Sequence, residues 1–331
     1  MAFAQKYLAL FLKLLLVGTI FLLLTHTAQF KPDLLIQFFS HPFFLTGVVI
    51  IFLLMLALGS WRWYLLNSAQ RVDLDFFSTF IATYIGAGFS NILPGTVGGD
   101  VVRWFYLFKK IPNKKSTVLF SLFLDRVLGL IGVFITVGFI FATHMHAISQ
   151  NTKLYYPFLL FSLLCIAVLA AFFTMITLSG KIPFSAFLET RFPDQKWAKL
   201  AASFFNALKT YHISISSIAK CLIISVAIQI IMGITVNLIA EMMGFTGISL
   251  TNYVIAASLT QVVNLIPATP GGVGIGEMAF ANILYLLNPE INAAFATVYF
   301  AFRLIGTLTY LPGVMLFIPR MLALRQKRAV A

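Results

Sequence analysis

Long apolar runs separated by short polar or basic ones set the plan of this chain. Residues 7–28, 43–66, 116–143, 154–178, 221–243 and 292–317 each reach or exceed the roughly 20 residues a helix needs to cross a bilayer. Four other runs fall short. Residues 76–93 are marginal, and 101–108, 252–265 and 276–287 are too short to cross alone. The run behind Lys6 is long for the apolar part of a signal peptide, so residues 1–28 are expected to form an uncleaved first membrane helix running outward. An external loop, 29–42, follows.

Basic residues orient the remaining runs. Arg62 and Arg71, with Trp61, Trp63 and Tyr64, read as a cytoplasmic boundary after the second span. Arg71 lies before the short pair 76–93 and 101–108, and Lys109, Lys110, Lys114 and Lys115 lie after it, so this pair is expected to enter from the cytoplasm and return. Residues 154–178 lead inward to a basic stretch ending at Lys220, which together form the linking region 154–220. No Lys or Arg then appears before Arg303, so the second short pair should enter from outside. The chain closes on a basic cytoplasmic tail, 318–331, with Arg320, Arg325, Lys327 and Arg328.

Each short pair meets at a tip of the same chemistry. The first, 91–100, begins N-I-L-P-G-T-V-G-G, and the second, 264–276, begins N-L-I-P-A-T-P-G-G. Asn91, Pro94, Thr96, Gly98 and Gly99 recur as Asn264, Pro267, Thr269, Gly271 and Gly272 at one constant spacing. Pro and paired Gly are poor helix formers, so each tip is a break. The reading is an all-α polytopic membrane protein, a single membrane domain over 1–331. It holds an inverted-topology repeat, 43–143 and 221–317, with two re-entrant broken-helix hairpins from opposite faces. Broken helices at matching places in two halves point to a transporter's binding site.

Composition agrees with the class. Hydrophobic residues make up 60% of the 331 residues and charged ones only 10%, and the mean hydropathy is +0.95, too apolar for a soluble chain. The net charge of +13 lies between the spans, where lipid head groups and cytoplasmic orientation account for it better than nucleic acid does. Cys165 and Cys221 fit no metal spacing.

Six ionisable groups fall at membrane depth: Asp100, Arg103, Asp125, Arg126, Glu277 and Arg303. Facing lipid, they would cost on the order of 15 to 20 kcal/mol together, so they must pair or face water. Half-helices starting at Gly99 and Gly272 would aim N-H groups at an anion, and Arg can grip a phosphate with two hydrogen bonds. The expected substrate-binding groups are therefore these six with the Asn, Pro, Thr and Gly residues of both tips. Plainer roles stand beside this one: Asp100 as a helix cap, Glu277 for the helix dipole, and Asp125, Arg126 and Arg303 as a static ion cluster. Asp73 and Asp75 read as a helix cap rather than a metal motif, and His144 and His146 lack a nearby carboxylate. The glycines from Gly271 to Gly276 have no Lys-Ser/Thr after them, so no nucleotide loop is expected. Neither a cofactor nor a metal is implied.

Taken together, the hairpin N-x-L-P-G-x-x-G-G-D-x-x-R at 91–103, Asp125-Arg126, and P-x-T-P-G-G-x-G-x-x-E at 267–277 resemble the lysylphosphatidylglycerol synthase transmembrane family. This is the flippase-like membrane domain of the multiple peptide resistance factor, which also occurs as stand-alone membrane proteins. The resemblance implies a lipid translocase for an anionic or modified phospholipid, or for a polyprenyl-linked glycolipid, in the inner (plasma) membrane with both termini cytoplasmic. The sequence stops at Ala331 without the synthase half found in two-domain members, so lysyl transfer is not carried over and the expectation leans away from an enzyme. Two alternatives stay open: an intramembrane transferase acting on lipid-linked substrates, and an accessory subunit of a lipid or envelope synthesis enzyme. A homodimer and a cytoplasmic synthase are the protein partners left open.

Overall fold

The computed structural model describes residues 30–92, 97–107, 114–143, 152–181, 215–266, 272–291 and 293–329, with 18–19, 22–23, 26, 111, 187, 190–192, 195, 202 and 269 as separate positions. The first span, most of the basic stretch 182–214, and His144 and His146 lie outside the described residues. Ten helices are formed among the described residues: α1 (Pro32–Phe39), α2 (Pro42–Ala69), α3 (Phe76–Ile92), α4 (Val97–Leu107), α5 (Lys115–Thr143), α6 (Thr152–Lys181), α7 (Ile215–Met242), α8 (Leu250–Val263), α9 (Ile275–Leu287) and α10 (Phe295–Ala329).

Among the described residues, four segments are long and apolar enough to cross a membrane: Pro42–Ala69, Thr117–Thr143, Ile215–Met242 and Phe295–Phe317. The chain is thus a helical, multi-pass membrane protein. The short pairs keep their expected lengths, 17 and 11 residues for α3 and α4, and 14 and 13 for α8 and α9. At about 1.5 Å per residue, none of the four spans a roughly 30 Å hydrocarbon core.

Local chemistry sets the helix ends. Asp75 caps α3, its carboxylate accepting the Ser78 amide at 2.8 Å and the Ser78 hydroxyl at 2.5 Å. α3 stops at Ile92, two residues before Pro94. The segment expected to be an external loop holds a helix that length alone did not announce. α1 begins with Pro32 and carries Asp33 in its first turn, both favourable at a helix N-terminus. It packs on α10, where the Lys31 amide donates to Thr297 Oγ1 at 2.8 Å.

The chain divides into two compact units. The first comprises residues 1–57, 80–106 and 228–331 and so contains most of both hairpins. Its core gathers Phe38, Phe52, Tyr253, Phe280, Phe295 and Tyr299. The second comprises 58–79 and 107–227, with a core of Leu66, Leu124, Leu128, Ile131, Phe172 and Cys221. Within it α5 packs against α6.

Candidate functional site

In the first unit, the second hairpin is built around a buried ion pair. α8 packs on α9, and α9 on α10. The turn between α8 and α9 passes through Gly272 and Gly274 with φ of +73° and +85°, left-handed conformations that side chains other than glycine rarely adopt. α9 therefore begins at Ile275, three residues later than the Gly272 start expected from sequence. That shift puts Glu277 in the first turn, where Oε2 accepts the Gly274 amide at 2.6 Å. Its other oxygen, Oε1, lies 2.9 Å from Arg303 Nε on α10. Glu277 is 0% exposed.

Glycines hold the arginine in place. A Cβ on Gly276 would lie 2.1 Å from Arg303 Nη2, and one on Gly272 would lie 2.5 Å from Asn264 Oδ1. These glycines accommodate protein side chains. Arg303 also lies over the Tyr299 ring, 5.5 Å from its centroid, and Asn264 donates to Tyr299 Oη at 3.1 Å. Two acceptors at this place, Asn264 Oδ1 and Thr269 Oγ1, are buried with no hydrogen-bond partner among the described residues. A buried polar atom left so is costly unless a ligand or water meets it.

The first hairpin repeats the device with different residues. Arg103 pairs with Asp100 at 3.2 Å, one turn earlier on α4, and donates to Thr83 Oγ1 on α3 at 3.1 Å. Its aliphatic stem lies on Gly86, whose added Cβ would be 2.2 Å from Arg103 Cγ. Gly99 meets Ser90 and the Gly86 carbonyl at 2.0 and 2.3 Å on the same measure. α4 begins at Val97 rather than Gly99, so Asp100 stands inside the first turn and not at its cap.

In the second unit, Asp125 is buried while its neighbour Arg126 is exposed. Adjacent residues on a helix face different ways. Asp125 is 4% exposed and pairs with Arg62 Nε at 2.7 Å, while Arg126 is exposed. Arg62 also donates to Ser225 Oγ at 2.8 Å. The Arg62 side chain is thus only 12% exposed and ion-paired, a partnership the sequence did not announce. A buried chain continues beside it, with Trp63 Nε1 donating to Ser121 and Ser121 to Asn67. The available signal was Ser60, Trp63 and Asn67 recurring on one helical face inside an apolar run.

Of the expected site residues, Asn264, Thr269, Gly272, Glu277 and Arg303 come together. Asp100 and Arg103 form their own cluster with Gly99 close by, and Gly98 is half-buried in the same turn of α4. Pro94, Thr96, Pro267 and Gly271 lie outside the described residues, as does the side chain of Asn91. Among the described residues no group of His, Cys, Asp and Glu is arranged to hold a metal.

A family model, described as the lysylphosphatidylglycerol synthase TM region, matches residues 10–311. Neither a curated protein nor a solved structure matches the chain.

Proposed function

The chain belongs to the family of the lysylphosphatidylglycerol synthase transmembrane region, and we propose that it acts as a flippase-like lipid translocase. Its cargo is an anionic or modified phospholipid, or a polyprenyl-linked glycolipid, that crosses between leaflets through a polar intramembrane groove. The carrying observation is the ion pair that joins buried Glu277, on a hairpin of two helices too short to cross, to Arg303 on α10. Ionisable residues at membrane depth mark substrate or ion paths. Arg303 offers a guanidinium to a phosphate, and the unpartnered Asn264 Oδ1 and Thr269 Oγ1 offer acceptors to head-group hydroxyls or amines.

Where the hairpins dock supports entry from opposite faces. The second hairpin meets α10 at Tyr299 and Arg303. The first meets it further along, where Gly88 faces the Tyr310 carbonyl, Gly313 faces the Tyr84 carbonyl, and Tyr84 Oη donates to the Thr309 carbonyl at 3.0 Å. In this reading the two hairpins are the matching parts of inverted repeats, 43–143 and 221–317, in a plasma-membrane protein with cytoplasmic termini. The transferase alternative draws less support, because Asp75 of its D-x-D motif is engaged in capping α3.

The test is a fluorescent-lipid reduction assay in proteoliposomes with phosphatidylglycerol, lysyl-phosphatidylglycerol and a neutral lipid. Head-group-dependent transfer that Arg303→Ala abolishes establishes the translocase. Absence of transfer for every lipid, polyprenyl-linked ones included, overturns it.

A further inference from the structure

Arg303 has one guanidinium and two anions to satisfy: Glu277, which it already holds at 2.9 Å, and the phosphate of the proposed cargo. It is the only Lys or Arg on α8, on α9, or on α10 as far as Phe317. Glu277 is fully buried, and its second oxygen is engaged by the Gly274 amide. The ionisable side chains on the elements packed against α9 are Tyr253 on α8, and Tyr299, Tyr310 and Arg303 on α10 up to Phe317; α9 itself adds only the exposed Tyr285. A phosphodiester on Arg303 would therefore face an ionised Glu277 with no second cation from these helices, where burial strengthens the repulsion. The site keeps its net charge only if Glu277 becomes neutral as the phosphate arrives.

We propose that Glu277 is the proton carrier of the translocase, so that one proton moves with each lipid phosphate. A proton from water binds a Glu277 carboxylate oxygen, the ion pair to Arg303 is broken, and the guanidinium, still protonated, takes the phosphodiester monoanion. On release the O-H bond breaks and the pair re-forms. The empty site (carboxylate with guanidinium) and the loaded site (carboxylic acid, guanidinium and phosphate) then carry the same net charge. Transport responds to a pH gradient and not to membrane potential. This inference rests on the translocase reading and supplies its driving force.

The experiment uses the full chain in phosphatidylcholine vesicles that hold a trace of labelled phosphatidylglycerol and a trapped pH-sensitive dye. With a gradient of one pH unit, coupling of one proton to one lipid should shift the labelled lipid toward the alkaline side by about tenfold between leaflets, with matching proton movement reported by the dye. A potential set by potassium and valinomycin at equal pH should leave the distribution unchanged. Glu277→Gln should show neither the gradient-driven shift nor the proton signal. The wild-type measurement decides the matter even if that variant fails to fold. Translocation that proceeds with no response to the gradient overturns the proton carrier alone. Absence of translocation at every pH overturns the translocase reading and this inference with it.

Discussion

Arg303 rests its guanidinium against the bare backbone of Gly276, so closely that a methyl group added there would lie 2.1 Å from Nη2. The glycine is thus part of the arginine's seat. Gly276→Ala should displace Arg303 from Glu277 and reduce lipid transfer sharply, while overpacking costs about 1 to 3 kcal/mol of stability. Thermal unfolding in detergent beside the vesicle assay checks this. Transfer at the wild-type rate would show that the seat is dispensable.

Arg62 and Asp125 form the buried pair of the second unit. Removing one partner strands the other charge, so Arg62→Ala or Asp125→Ala should each destabilise by about 3 to 5 kcal/mol. Replacing both with leucine should recover most of that loss. A double-mutant cycle on thermal stability reads the difference, and additive losses would mean that the pair is not coupled.

Gly88 and Gly313 let α3 and α10 approach backbone to backbone, with added Cβ atoms 2.6 Å from the Tyr310 carbonyl and 2.4 Å from the Tyr84 carbonyl. Carbonyls cannot swing aside as side chains do. Gly88→Ala and Gly313→Ala should each lower stability by about 1 to 3 kcal/mol, and the double variant by less than the sum, because the first substitution already parts the helices. Melting curves of the three variants test the relation.

Asp75 caps α3 through Ser78. Asp75→Ala should cost about 1 kcal/mol and Asp75→Asn less, since an amide oxygen still accepts the Ser78 amide. Lipid transfer should survive both. Loss of a labelled-donor transferase activity in Asp75→Asn would instead revive a catalytic role for this residue.

The break at Gly272 was legible because paired glycines interrupt an apolar run in a way a helix interior tolerates poorly. The pairing of Glu277 was legible because charges in such runs are rare and must find a partner or water. The start of α9 was not, since sequence locates the glycines but not the two left-handed turns at Gly272 and Gly274 that delay the helix to Ile275. The partner of Arg62 was not legible for a related reason. Beside Trp61 and Trp63 the arginine looks like an interfacial anchor, and only the facing helix, which brings Asp125 to 2.7 Å, reveals it as a buried partner. α1 was hidden in a loop whose length was read and whose Pro32-Asp33 start was not.

α10 carries Arg303 against one hairpin and Gly313 against the other on a single continuous helix. Ten residues of helix fix those two points about 15 Å apart, so α10 works as a ruler between the hairpins. If the cargo passes from one to the other, the hairpins cannot close that gap by sliding together along α10 without giving up a docking contact. The lipid must cover the interval itself, and any rocking must pivot on the two contacts that the ruler holds.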